Sequence, residues 1–238
     1  PDFELKISGM KMSGGAKPFG IDAERVPALL ARFDGLPLRY HGLHVFPGSQ
    51  NLRTDALLEA HKRLFGLVLE LAAILPPPHV TLGAGFGIPY FPGDQPFDLD
   101  HVAGDLHKLV NAFRARYPDT TLALEMGRFL VGEAGVYVTT VVDRKASRGK
   151  LFLVTDGGMN HHLAASGNLG QVLRKNFPVV VAERVAGGDT ETVTVVGPLC
   201  TPLDILADNV DLPRCEPGDH IAVLQSGAYA LSASPRGF

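Results

Sequence analysis

Strand-like and helix-like patterns alternate in the first half of this chain of 238 residues. Three apolar runs have strand character, at 36–46, 80–83 and 121–125. Between them lie two amphipathic segments with apolar side chains at helical spacing, at 54–75 and 98–117. Strands joined by helices pair in parallel through right-handed crossovers. The alternation therefore predicts an α/β unit in which helices cover a parallel sheet and all strands end at one edge.

Two weaker patterns precede this alternation. Residues 2–7 read as a strand, and Asp22 reads as the N-cap of a helix that runs to about Phe33. Pro27 then falls in the first turn of that helix, where proline is tolerated. Both segments are predicted to belong to the α/β unit.

The pattern changes after Gly135, where β-branched runs follow one another with few helices between them. These runs are at 136–142, 151–155, 179–182, 192–196 and 220–225. Such a series is typical of an antiparallel β domain. We therefore predict one domain over 1–131 and a second over 132–238.

The overall composition excludes several classes of protein. The net charge is −3 and the sequence pI about 6.3, so no basic surface for nucleic acid is expected. No apolar run has the roughly 20 residues that span a bilayer, and no signal peptide is recognisable. The two cysteines, Cys200 and Cys215, are too few for a disulfide scaffold. These features predict a cytoplasmic protein without nucleic-acid or membrane partners.

Small and polar residues follow each of the three predicted strands. Ser49 follows the first, Gly83, Gly85 and Phe86 follow the second, and the pair Glu125 and Arg128 ends the third. Backbone amides, a hydroxyl group and a guanidinium group at one sheet edge can bind an anion. Two alternatives remain open: Glu125 and Arg128 form an ordinary surface pair, or the glycines form a dinucleotide-binding turn. Pro89 argues against the dinucleotide.

In this order and spacing, the motifs resemble the pyridoxal-phosphate (PLP) decarboxylases of the alanine-racemase fold, the diaminopimelate and ornithine decarboxylase family. The resemblance includes Asp156-Gly-Gly-Met-Asn160, Gly197-Pro-Leu-Cys200 and Gly227-Ala-Tyr229. The segment 160–171 is similar to a carrier-protein-linked or exosortase-associated subgroup. The resemblance implies the C-terminal part of a (β/α) TIM barrel followed by an antiparallel β domain.

The resemblance also implies roles for individual residues. Glu125 would face the pyridine nitrogen of PLP, and Phe46, where the family usually has histidine, would stack on the ring unless it is an ordinary core residue. The phosphate would be bound by a group of donors: Ser49, Gly83, Gly85, Phe86, Arg128 and Tyr229. Cys200 would reach the active site of the other subunit of a homodimer and supply a proton after CO₂ leaves.

Substrate specificity is implied by two further positions. Asp156 matches an acid near the far end of the substrate, but Thr201 stands where a second acid follows the cysteine, and Ala164 where an arginine binds a distal carboxylate. Because one acid holds an ammonium group less well than a pair does, neither ornithine nor diaminopimelate suits these positions. We expect a small amino acid or an aminoacyl carrier protein as substrate.

The lysine that binds PLP in this family lies before the first matching segment, and Lys6 does not align with it. We therefore expect this chain to be the C-terminal portion of an enzyme and to be inactive by itself. A racemase and a non-catalytic relative that has lost the lysine are the alternatives. The adjacent His161 and His162 lack further ligands at metal-binding spacing, so no metal is predicted.

Overall fold

The computed structural model describes residues 10–11, 14–169, 171, 173–185 and 187–237. The strand predicted over 2–7, which includes Lys6, lies outside the described residues. Contacts divide the described chain into two compact units. The first contains the described residues up to Ile88 together with Gln95–Met126, and the second contains Pro89–Asp94 and the described residues from Gly127 onward. The domain boundary after residue 131 stays a prediction.

The first unit combines short strands with two long helices. Its strands are β1 (Met10–Lys11), β2 (Gly42–Val45), β3 (Gly48–Ser49), β4 (His79–Gly83) and β5 (Thr121–Glu125). Its α-helices are α1 (Val26–Leu30), α2 (Thr54–Ala72) and α3 (Leu99–Arg116), with single 3-10 turns at Ala23–Arg25 and Phe33–Gly35. Strands β2, β4 and β5 form a parallel sheet in the order β2-β4-β5, and β1 pairs with β3.

Helices α2 and α3 form a hydrophobic core with side chains of the parallel sheet. Leu64 and Val68 of α2, Phe113 of α3 and Val80 of β4 are fully or almost fully buried in it. Residues alternate along β5, so Leu122 and Leu124 pack against this core while Thr121, Ala123 and Glu125 are exposed. The sheet thus presents one apolar face to the helices and one polar face on the other side.

The sequence patterns predicted the long elements well and the short ones poorly. Helix α3 begins after Asp98, whose carboxylate accepts a hydrogen bond from the His101 amide at 2.9 Å, as an N-cap does. Asp22 makes no such bond, and the helix predicted after it is a 3-10 turn followed by α1, in which Pro27 occupies the first turn.

The strand predicted over 36–46 was also too long, because only β2 forms. Pro37, which has no amide hydrogen to donate to a sheet, lies in the part of the prediction that is not strand.

The second unit is built on a six-stranded sheet. It starts with α4 (Gly127–Val131) and a 3-10 turn at Gly132–Ala134. Its strands are β6 (Tyr137–Ser147), β7 (Lys150–Thr155), β8 (Val179–Val181), β9 (Thr190–Val196), β10 (Ile205–Pro213) and β11 (His220–Val223), in the order β10-β9-β7-β6-β11-β8. Neighbouring strands are antiparallel except β7 and β9, which pair in parallel.

Strand β10 is the element of this sheet that the sequence patterns missed. It contains Asp208 and Asn209, which are poor strand formers, and it pairs with β9 through two irregularities in register. Asn209 has a φ of 48°, the left-handed conformation that asparagine tolerates better than most residues. None of the helices in the described part of the chain is long and apolar enough to cross a membrane.

Candidate cofactor and substrate site

Glu125 projects from the end of β5 on the polar face of the parallel sheet. Its Oε2 atom lies 3.0 Å from Nε2 of His44, which projects from β2 on the same face. Both side chains are about half exposed, at 46% for Glu125 and 57% for His44. The carboxylate is therefore fixed by an imidazole and is still accessible to a ligand.

The ring of Phe46 covers the end of β4. A Cβ atom added to Gly83 would lie 2.4 Å from Cδ2 of Phe46, far inside van der Waals contact. Gly83 is thus required because the phenyl ring takes the space of a side chain. This packing accounts for one glycine of the motif without any ligand.

The glycine-rich turn after β4 is held by an internal hydrogen-bond network. The Ala84 amide donates to the Glu125 carbonyl oxygen, and the Gly87 amide donates to the Asn51 carbonyl oxygen. The Ile88 amide donates to Oε1 of Gln50. These three amides are not available to an anion, whereas no hydrogen bond of the Gly85 amide is found within the described residues. Gly85 has a φ of 77°, so a residue without a side chain suits this position.

The other two predicted phosphate ligands of the first unit belong to the same turn region. Ser49 lies in β3, opposite Met10 of β1. Phe86 is buried, and its ring packs against those of Phe97 and His61 at centroid distances of 4.9 and 5.9 Å. The side chain of Phe86 is therefore structural, and only its backbone suits a ligand.

Arg128 in the second unit lies between two tyrosine rings. Its guanidinium carbon is 5.4 Å from the ring centroid of Tyr90 and 4.9 Å from that of Tyr229. Its Nε atom is buried and has no hydrogen-bond partner among the described residues. Burial raises the pKa of Tyr90, and the nearby positive charge of Arg128 opposes that rise. A buried, unused cationic donor is a group that an anion would satisfy.

The segment that carries Tyr229 has a strained backbone. Tyr229 and Gln225 have φ values of 66° and 57°, which non-glycine residues seldom adopt. Between them, Gly227 packs so closely that an added Cβ atom would lie 1.7 Å from the Val131 carbonyl oxygen. The Gly227 amide donates to the Gly132 carbonyl oxygen at 3.0 Å. The segment is thus fixed against the turn after α4, and such strain is characteristic of functional sites.

Asp156 follows β7 and is fixed by two donors from β6. Its Oδ1 atom accepts hydrogen bonds from the Thr139 hydroxyl group at 2.7 Å and from the Thr140 amide at 2.8 Å. These bonds lower the pKa of Asp156, the Thr139 bond having the largest effect. Asp156 is exposed and carries a negative charge at neutral pH, so it can still bind a substrate cation.

The predicted proton donor, Cys200, lies in the turn between β9 and β10 and is an exposed free thiol. Thr201 follows it, and its hydroxyl oxygen accepts a hydrogen bond from the Leu203 amide at 3.3 Å. Cys215, in contrast, is buried, and burial raises the pKa of its thiol to about 11. Of the two cysteines, only Cys200 is accessible for chemistry in this chain.

The sequence patterns missed the role of His162. Its ring is fully buried, with Nε2 2.9 Å from the Ser226 hydroxyl oxygen, while Nδ1 accepts from the Ala165 amide at 3.2 Å. Burial lowers its pKa to about 4, so the imidazole is neutral at physiological pH. The position of His162 next to His161 in the sequence gave no indication that its ring is buried. Among the described residues, no group of three potential ligand side chains is arranged to hold a metal ion.

The structure brings some predicted site residues into contact within each unit. It joins Phe46 with Gly83 in the first and Arg128 with Tyr229 in the second. Sequence patterns did not identify Tyr90 and His44 as contacts of Arg128 and Glu125. Both contacts join residues far apart in the sequence, where no local pattern reports them. The assignment of these residues to one site stays a prediction.

Comparison with known proteins identifies the family. The model of the C-terminal sheet domain of pyridoxal-dependent decarboxylases matches residues 19–227, so the chain belongs to this family. The L-glutamyl-(BtrI acyl-carrier protein) decarboxylase of Niallia circulans is 38% identical, with 99% of this chain and 56% of that protein covered. The diaminopimelate decarboxylase of Thermoplasma acidophilum is 34% identical, with 99% and 55% covered.

Solved structures confirm the predicted fold class. The diaminopimelate decarboxylase of Helicobacter pylori complexed with L-lysine matches with a TM-score of 0.79 at 23% identity, covering 98% of this chain and 56% of that one. The chain thus has the fold of part of an alanine-racemase-type barrel followed by a β domain. It spans about half the length of the curated relatives it matches.

Pyridoxal phosphate is the cofactor of this family, and the described residues suit it. The buried Nε of Arg128 needs an acceptor, which a phosphate group supplies. The accessible carboxylate of Glu125 is the partner that a protonated pyridine nitrogen requires. The match of Arg128 to a phosphate group concerns the second unit alone, and the match of Glu125 to a pyridine nitrogen concerns the first unit alone.

Proposed function

We propose that the protein containing this chain is a PLP-dependent decarboxylase of an amino acid, free or attached to a carrier protein. The observation that carries the proposal is Arg128, a cation held between Tyr90 and Tyr229 with a buried donor left for an anion. The family membership and the similarity to a carrier-protein-linked glutamyl decarboxylase support it. The lysine that binds the cofactor is not among the residues of this chain that align with the family motif.

The residues of this chain would divide the work of binding the cofactor. Glu125 would keep a proton on the pyridine nitrogen, and Phe46 would cover one face of the ring. The donors proposed for the phosphate are Ser49, the backbone of Gly83, Gly85 and Phe86, Arg128 and Tyr229. When bound, PLP supplies an electron sink for the bond between Cα and the carboxylate.

The remaining residues would act on the substrate. Asp156, negatively charged and held by two donors, would orient a polar group of the substrate, and Thr201 would offer a neutral hydroxyl group to it. Cys200, with its exposed thiol, would return a proton to the carbon that has lost CO₂. Substrate binding is thus proposed to use the segment after β7, and the return of the proton is proposed to use the turn between β9 and β10.

The residues at 164 and 201 favour a carrier-linked amino acid over a diamine. Ala164 is buried, with 8% of its surface exposed, and offers no cation to a distal carboxylate. Thr201 offers no second acid to a distal ammonium group. The absence of these charges agrees with a substrate whose far end is an amide-linked carrier arm, and a glutamyl group is our first choice.

Two substitutions in the full-length protein test this function. Arg128→Ala should weaken PLP binding by about 1.5–3 kcal/mol, the effect of losing a charge-assisted hydrogen bond. Glu125→Ala should retain bound PLP, measured by visible absorbance, but lose turnover because the ring nitrogen loses its partner. Arg114→Ala, an exposed change on α3, is the control. PLP affinity and turnover equal to those of the parent in both variants would refute the assignment. Bound PLP without turnover in the parent protein would favour a non-catalytic relative.

The active protein is further proposed to be an isologous homodimer, because the family resemblance implies that Cys200 would reach the partner's active site. Sedimentation of the PLP-loaded protein should give a dimer at the concentrations used for assays. Full activity in a monomer would exclude this arrangement.

A further inference from the structure

Asp204, directly before β10, is a buried carboxylate that holds two loops together. Only 2% of its surface is exposed. Its Oδ1 atom accepts a hydrogen bond from the Met159 amide at 2.6 Å, and its Oδ2 atom accepts one from the Leu199 amide at 2.9 Å. Each oxygen therefore binds a different loop.

The two loops are those that carry predicted substrate-site residues. Met159 lies three residues after Asp156, and Leu199 directly precedes Cys200. Within the second loop, the Gly197 amide donates to the Asp204 carbonyl oxygen at 3.0 Å, and the Asp204 amide donates to the Thr201 carbonyl oxygen at 3.3 Å. The turn containing Cys200 is thus tied to Asp204 by its backbone as well as by its side chain.

Two glycines make room for this carboxylate. A Cβ atom on Gly158 would lie 2.2 Å from Oδ1 of Asp204, and one on Gly197 would lie 2.4 Å from Oδ2. Neither glycine has a positive φ, so its backbone conformation is open to other residues. At Gly158 the three nearest atoms all belong to the Asp204 carboxyl group, so the carboxylate is the reason that this position excludes a side chain. At Gly197 the Cα atom of Gly158, at 2.5 Å, excludes a side chain as well.

The chemistry of the site requires a carboxylate. An ionised carboxylate accepts hydrogen bonds at both oxygens, whereas an asparagine amide accepts at one oxygen and donates at its nitrogen. The side chain of an asparagine at 204 could therefore accept a hydrogen bond from only one of the two loops, and its NH₂ group would face an amide donor of the other. Leaving a buried amide without an acceptor is costly.

We infer that Asp204 is a positioning residue, which fixes the loop that carries the Cys200 thiol and the loop that carries the Asp156 carboxylate by holding both on one side chain. The inference rests on the proposed function for the roles of Cys200 and Asp156. The loop arrangement itself does not depend on that function. Asp204 is buried beneath the loops, so its effect on the reaction passes through them.

The first test compares Asp204→Asn with Asp211→Asn in the full-length, PLP-loaded protein. Asp211 is an exposed carboxylate on β10, the strand that begins directly after Asp204, and it accepts a hydrogen bond from Thr192, which makes it a matched control. Asp204→Asn should lower kcat/KM by roughly 10- to 100-fold, the loss expected for one hydrogen bond to a charged acceptor, mainly through kcat. The control should keep both constants. A loss of thermal stability with unchanged kcat and KM would reduce Asp204 to a structural residue.

The second test uses the glycines and does not require Asp204 to be changed. Gly158→Ala displaces the carboxylate by steric contact, so it should reproduce the kinetic effect of Asp204→Asn. The double variant should be no worse than the poorer single variant, because both changes break the same contact. Effects that multiply in the double variant would contradict the inference. If Asp204→Asn does not fold, the comparison of Gly158→Ala with Asp211→Asn decides the question.

The third test reports on the loops without any catalysis. Cys200 is exposed and Cys215 is buried, so iodoacetamide should modify Cys200 selectively. The alkylation rate of Cys200 should change in Asp204→Asn and in Gly158→Ala but not in Asp211→Asn. This result would stand even if the protein proved not to be a decarboxylase, whereas unchanged alkylation in both variants would overturn the positioning role.

Discussion

At the scale of a residue, Arg128 has one contact that the sequence led us to expect and one that it did not. The family resemblance implied that Arg128 and Tyr229 act in one site, and the structure places the guanidinium group over the Tyr229 ring. The guanidinium group also lies over the Tyr90 ring, a contact that no local pattern predicted. Such contacts depend on the tertiary fold, which brings together residues far apart in the chain.

The strained backbone of Tyr229 predicts an inverted order of stability between two substitutions. At ordinary sites glycine is less stable than alanine, but at a φ of 66° alanine retains the strain that glycine relieves. Tyr229→Gly should therefore be more stable than Tyr229→Ala by about 1 kcal/mol in urea unfolding. Both lose the ring, so both should bind PLP equally weakly. Greater stability of the alanine variant would show that the segment relaxes when the ring is removed.

His162 should make the stability of the protein depend on pH. Its pKa is lowered by burial to about 4, against 6.5 for an unperturbed histidine, so the unfolded state binds a proton that the folded state does not between these values. Its contribution is complete above pH 6.5 and is lost as the pH falls toward 4, up to about 3 kcal/mol.

The measurement is urea unfolding at pH 7 and pH 5. In His162→Gln, the loss of stability between these two pH values should be smaller than in the parent by about 2 kcal/mol. His101→Gln, a change of an exposed histidine in α3, should keep the parental dependence. An identical pH dependence in His162→Gln and the parent would contradict the burial of a neutral imidazole.

At the scale of elements, the sequence predicted the helices and strands whose apolar residues recur at regular spacing, and it missed those whose sequence is irregular. Strand β5 formed at the predicted residues, and helices α2 and α3 formed close to the predicted bounds, because each buries a regular apolar face. Strand β10 was missed because its Asp208-Asn209 pair resembles a turn. The helix predicted from Asp22 to about Phe33 formed only as a 3-10 turn and the short helix α1, and Asp22 makes no side-chain cap bond.

The contact between β2 and β4 predicts coupling between Phe46 and Gly83. Gly83→Ala places a methyl group within 2.4 Å of the Phe46 ring and should destabilise the protein by about 1–3 kcal/mol. In the background of Phe46→Ala the same change should cost much less, because the ring is absent. Urea unfolding of the two single variants and the double variant measures this coupling, and purely additive effects would show that the ring moves aside freely.

At the scale of the whole molecule, the sequence predicted the order of a parallel α/β unit and a β-rich unit, and structural neighbours confirm this fold class. The parallel pairing of β7 with β9 was not predicted, because the sequence shows strands but not the crossovers that order them. The polar face of the β2-β4-β5 sheet carries His44 and Glu125, and a parallel sheet is ordinarily covered on both faces. That face is where the proposed chemistry requires a ligand.

The central claim is that this chain belongs to a decarboxylase whose substrate carries no ammonium group at its far end. The most direct measurement follows CO₂ release by the full-length protein with PLP, using a glutamyl carrier protein, free glutamate, ornithine and diaminopimelate as substrates. Loss of one charge-assisted contact predicts a handicap of roughly 10- to 100-fold on ornithine and diaminopimelate relative to the carrier-linked substrate. Efficient release of CO₂ from free diaminopimelate, with none from the carrier-linked substrate, would contradict the account.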